Sequence, residues 1–175
     1  MRCAIPGILS ALVAAAAVSA APFLDRPPAP TGENVSVADI RSITFEIRPM
    51  PQRLRDLRVT TTQVLKIFRT ELEGLGLRIV PKRAENIPHV VLSVRAATDT
   101  KQREAVALYT IITVHQDVHL KRLDRPMRVA TNTTADLHLT TFAAVRMAVP
   151  RRVRHAVQVL GKILADATST YRDMP

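Results

Sequence analysis

The stretch Val106-Ala107-Leu108-Tyr109-Thr110-Ile111-Ile112-Thr113-Val114-His115-Gln116-Asp117-Val118-His119-Leu120 leads through Asp124-Arg125-Pro126 into a second run, Met127 to Thr141. Both runs alternate with a period of two, the pattern of strands with one buried face. Two such segments, Val106 to Leu123 and Met127 to Thr141, predict a long antiparallel hairpin. In the first arm Leu108, Thr110, Ile112, Val114, Gln116, Val118 and Leu120 make the mostly apolar face. Tyr109, Ile111, Thr113, His115, Asp117 and His119 make the other. In the second arm Val129, Leu137 and Leu139 lie on one side, and Asn132, Thr134, Asp136 and His138 on the other. Matching the apolar faces predicts His115, Asp117 and His119 on the same sheet surface as Asp136 and His138, with His115 opposite His138 and Asp117 opposite Asp136.

Outward from the hairpin, Arg41 to Arg48 alternates with Ile43, Phe45 and Ile47 on one face, and Pro49 and Pro51 end that strand. A basic connection follows. Thr60 to Glu73 then puts Val64, Leu65, Phe68, Leu72 and Leu75 at helical spacing, with Thr60, Thr61 or Thr62 as N-cap and Gly74 or Gly76 as C-cap. Leu77 to Pro81 reads as a short strand, and His89 to Arg95 as another with Val90, Leu92 and Val94 inward. Thr98 to Glu104 reads as a hairpin tip. Pro150 to about Tyr171 is an amphipathic helix with Pro150 as its first residue. The order β-α-β-β-β-β-α predicts an α+β domain: one antiparallel or mixed sheet of four to five strands with both helices on one face.

The N-terminus reads differently. Arg2 is the only charge before Asp25, the run Ile5 to Val18 is apolar and Ala-rich, and Val18-Ser19-Ala20 offers small residues for cleavage. That is the order of a secretory signal over residues 1–20, cut after Ala20 or Ala21, with an uncleaved anchor as the alternative. The single cysteine, Cys3, falls inside it with no apolar run ahead, so it is no lipid acceptor. Residues 21–36, with Pro22, Pro27, Pro28 and Pro30, read as a linker, and residues 37–175 as a single domain. The expected location is periplasmic or secreted.

The chain carries 25 Lys+Arg against 15 Asp+Glu, a net charge of +10. Six of its 175 residues are aromatic and none is Trp, which removes the stacking platforms that single-stranded nucleic acids use. Export points the same way, so nucleic acid is not an expected partner. Arg53, Arg55 and Arg58 before the first helix, and Arg151, Arg152 and Arg154 at the start of the last, are candidate contacts for an anionic lipid or lipopolysaccharide surface. The set His115, Asp117, His119, Asp136 and His138 is a candidate metal or ligand site, because imidazoles and carboxylates two apart on a strand share a face. No nucleophile elbow, phosphate loop, zinc-protease helix or dinucleotide turn occurs. No enzyme activity and no cofactor is expected.

The passage Thr62-Gln63-Val64-Leu65-Lys66-Ile67-Phe68-Arg69-Thr70-Glu71-Leu72-Glu73-Gly74-Leu75-Gly76-Leu77-Arg78-Ile79-Val80, a helix ending in glycine just before a short strand, resembles small envelope-assembly domains. These are the N-terminal domain of TolB, the curli-secretion lipoprotein and auxiliary lipoproteins of lipid or lipopolysaccharide transport. The likeness covers most of residues 37–172 and is one of architecture. It implies a non-catalytic accessory module whose partner is another envelope protein. The alternative is a small periplasmic binding protein for a metal ion or anionic ligand, using the His/Asp face.

Overall fold

A computed structural model describes residues 36–81, 86–98 and 104–172. The expected signal segment, and all of the linker but Ser36, lie outside the described residues, as does the middle of the Thr98–Glu104 tip. The elements are β1 (Ser42–Ile47), α1 (Gln52–Asp56), α2 (Thr61–Gly74), β2 (Arg78–Ile79), β3 (His89–Thr98), β4 (Ala105–Leu120), β5 (Arg125–Thr141) and α3 (Val145–Arg172). The strands form one mixed sheet in the order β2-β1-β3-β4-β5. β1 is parallel to both β2 and β3, while β3, β4 and β5 run antiparallel. The α+β class and the mixed five-stranded sheet are as the alternation predicts.

Local chemistry sets the ends of α2. Thr60 is its N-cap, with Oγ1 accepting from the Gln63 N–H at 3.2 Å. At the other end Gly76 takes φ +78, a left-handed conformation open to glycine at no steric cost, and the chain turns into β2. Val64, Phe68 and Leu72 are the buried stripe. Phe68 meets Phe45 of β1 edge to face, with ring centroids 5.5 Å apart.

One face of the sheet bears both long helices. Register carries this through: Phe45 pairs with Val90, Val90 with Val114, and Val114 with Asn132, so these side chains share a side. That side holds Phe68 of α2 against Phe45, and Arg152 of α3 against Asp136 of β5. The core gathers Ile43, Phe68, Leu72, Leu92, Leu108, Ile112, Val153 and Leu160 between sheet and helices.

Two boundaries differ from expectation. The basic connection contains the short helix α1, anchored by the fully buried Leu54. One turn is too short to display a helical period. The last helix begins at Val145, five residues before Pro150, so Pro150 is inside it rather than first. Val145, Ala148 and Val149 are buried, and their burial holds the opening turn, which proline cannot stabilise through its missing N–H. Arg151, Arg152 and Arg154 accordingly stand past the first turn, away from the helix N-terminus. None of the described helices is long and apolar enough to cross a membrane.

Candidate functional site

A single irregularity in the hairpin decides what its two faces present. From Leu120 paired with Arg125 up to His115 paired with Ala130 the register is regular. Then it shifts between Val114 and His115, and Asn132 becomes the partner of Val114, leaving Thr131 as the extra residue of a β-bulge. Because side chains alternate, one extra residue exchanges the faces of everything beyond it. Asn132, Thr134, Asp136 and His138 therefore lie beside Val114, Ile112, Thr110 and Leu108, on the helix side. Leu137 and Leu139 point outward beside Tyr109 and Ala107, 67% and 73% exposed.

This corrects the expected pairing. His115 faces Ala130, not His138; His138 faces Leu108; Asp117 faces Arg128, not Asp136. His115, Asp117 and His119 are on the outer surface, whereas Asp136 and His138 are under α3. The five residues are not brought together. Among the described residues no three His, Cys, Asp or Glu side chains stand where one ion could be shared.

Most of them have other work. Asp117 receives two hydrogen bonds from Arg128, Nε at 2.7 Å and Nη2 at 2.6 Å, directly across the hairpin. That hydrogen bond, with the attraction of opposite charges, raises the Arg128 pKa above its ordinary value. His119 Nε2 is 3.1 Å from Asp124 Oδ1 in the exposed turn. Asp136 Oδ2 lies 3.1 Å from Arg152 Nε, with both side chains about four-fifths buried (21% and 22% exposed). His138 Nδ1 is 3.4 Å from Arg152 Nη1. The polar side of β5 is thus the seat of a helix-to-sheet ion pair.

The cationic residues also divide. Arg53 and Arg55 lie on α1, exposed, and Arg58 follows it with φ +60. On α3, Arg151 is exposed, Arg152 pairs with Asp136, and Arg154 Nε reaches Glu71 Oε1 of α2 at 3.3 Å. Two of the six expected anion contacts therefore serve packing.

Sequence reading missed the features that now stand out. β5 is the sheet's last strand, 17 residues long, and among the described residues no strand pairs with its outer edge. Below that edge a recess of about 390 Å³ is lined by His138, Thr140, Met147, Arg151 and Arg152. Above it stand the outward leucines. The weak signal available was Ala130-Thr131-Asn132-Thr133-Thr134, five small or polar residues over which the apolar alternation lapses.

No protein-family model matches the sequence, and no curated protein matches it. Several solved structures overlap it. A putative lipoprotein from Caulobacter crescentus is 13% identical, covers 81% of this chain and 96% of its own, and gives a TM-score of 0.37. A PelC dodecamer from Paraburkholderia phytofirmans is 10% identical over 71% of this chain and 86% of its own, with a TM-score of 0.37. A minor lipoprotein from Acinetobacter baumannii is 12% identical over 76% and 95%, with a TM-score of 0.32. Overlaps of this size carry no inference about activity.

Proposed function

We propose that the chain is an exported, non-catalytic accessory module of the bacterial envelope that receives an extended segment of a partner protein along the open edge of β5. The observation that carries this is the exposure of Leu137 and Leu139 on that edge strand. Soluble proteins guard long edges with charge, proline or bulges, because an open edge is a template for pairing. Here the bulge acts the other way and turns two leucines to solvent. Main-chain pairing supplies affinity in such strand addition, and alternate side-chain pockets supply specificity.

The two sides of the edge define the guest. Its outward residues meet Leu137 and Leu139 and are apolar. Its inward residues meet Arg151 beside the His138 recess and are acidic. A second copy of this chain fits less well, because it brings its own Arg151 to the same edge. The expected signal at residues 1–20, apolar and Ala-rich behind Arg2, supports a partner outside the cytoplasm.

The test is site-specific photo-crosslinking in the native host, with the reactive group at position 139. One discrete adduct is expected, lost when Leu137→Lys is added. An adduct that survives Leu137→Lys, or that forms equally from position 162 on α3, overturns the reading. The mass of the adduct separates a foreign partner from a second copy.

A further inference from the structure

The outer face of the sheet is not covered by a helix, but it is not bare. Beyond β1 the chain continues alongside β3, with the Arg48 N–H donating to the Leu92 carbonyl at 2.8 Å. Pro49 and Pro51 then line one side of a groove shared with Val91, which is 7% exposed although it points away from the helices. The groove, between this wall and the strands, has a volume of about 580 Å³.

Its polar lining is mainly cationic, with Glu46 of β1, opposite Val91, at its border 3.6 Å from Arg48 Nη1. Arg48 comes from the wall, Arg95 and Ser93 from β3, Thr113 and His115 from β4. Among the described lining residues none is acidic. The register explains the convergence: Arg95 is opposite Tyr109, Ser93 opposite Ile111, Val91 opposite Thr113 and His89 opposite His115, four successive rungs of one face. Two guanidinium forks, two hydroxyls and an imidazole offer more donors than a carboxylate has oxygens. They suit the several oxygens of a phosphate. The volume exceeds that of a bare ion, and Ile111 with the two prolines supplies apolar walls for the remainder.

From this we infer that the groove between the Pro49–Pro51 wall and the outer face of β3 and β4 is a binding site for an organic phosphate, with Arg48 and Arg95 as its principal ligands. The site is independent of the β5 edge and does not rest on strand addition there. The same phosphate chemistry is carried by soluble phosphomonoesters and by anionic lipid headgroups, and the experiment separates the two.

The folded protein is titrated with glycerol phosphate by calorimetry at about 0.1 M salt. In parallel it is floated with phosphatidylglycerol vesicles and with phosphatidylcholine vesicles. Each measurement is repeated for Arg95→Gln, for Arg48→Gln and for Lys162→Gln, the last removing the same charge from an exposed position of α3 on the opposite face. Binding to one of the two phosphate probes is expected, weakened at least about tenfold by Arg95→Gln and by Arg48→Gln, and unchanged by Lys162→Gln. Saturable binding of glycerol phosphate identifies a soluble ligand; flotation with phosphatidylglycerol alone identifies a headgroup. Absence of binding to both overturns the site. So does an equal loss in Lys162→Gln, which reduces the effect to overall charge. Circular dichroism of each variant confirms the fold, since Arg48 and Arg95 are exposed and outside the core.

Discussion

Phe68→Ala is expected to cost about 3–5 kcal/mol of folding stability, the range for removing a buried phenyl ring. Phe68 is fully buried at the centre of α2's apolar stripe. Its ring edge meets Phe45 of β1, so it ties the helix layer to the parallel half of the sheet. Truncation removes that contact and leaves a cavity between rigid layers that cannot collapse to fill it. Domains of this size have total stabilities of about 5–15 kcal/mol, so the loss is a large share of the whole. Urea denaturation of the variant checks it, with the midpoint falling and the slope unchanged. Phe68→Leu is the companion and should cost less than half as much. A loss below about 1 kcal/mol for Phe68→Ala would mean the ring is not packed as described.

Asp136→Ala is the second large effect, and its sign depends on what is left behind. Exposed ion pairs contribute about 0–1 kcal/mol, and breaking a fully buried one costs about 3–5 kcal/mol. The Asp136–Arg152 pair is about four-fifths buried on both sides, which places its rupture between, at about 1–3 kcal/mol. Most of that cost is the guanidinium stranded under α3, not the attraction itself. The double variant Asp136→Leu with Arg152→Met removes both charges at similar volume and is expected to regain most of the loss. A double-mutant cycle in urea reads the coupling directly. If the double variant is no more stable than Asp136→Ala, the cost was one of shape and the ion pair contributes nothing.

What was legible in the sequence was local. The alternation of Ile43, Phe45 and Ile47, the capped stripe of α2 and the paired arms of the hairpin are short-range patterns, and they lead to the right layers. α1 was hidden because one turn around Leu54 has no period to detect. The start of α3 was misplaced because proline at a first helical position is a strong local preference, and burial of Val145 and Val149 overrides it. The candidate His/Asp site failed for a different reason. Sharing one face required an unbroken register, which Thr131 breaks, and pairing His115 with His138 required a different offset from the one the turn sets, since Leu120 meets Arg125 and His115 meets Ala130 on the turn side of the bulge. No residue near Thr131 is a glycine, and the lapse of apolar alternation over Ala130 to Thr134 is only a weak sign of a bulge. The groove could not be read at all, since Arg48, Arg95 and Thr113 come from three separate segments that only the strand order brings together.

That same bulge has an evolutionary reading. Face identity in β5 is held by a residue count, not by the chemistry of any one side chain. Losing one codon at Thr131 would invert Asn132 through Thr140 in a single event, hiding Leu137 and Leu139 and turning Asp136 and His138 to water. Reaching the same surface by substitution would take a change at nearly every position. A lineage carrying this hairpin is therefore one in-frame deletion from exchanging the leucines on its outer face for polar residues, and one insertion from recovering them.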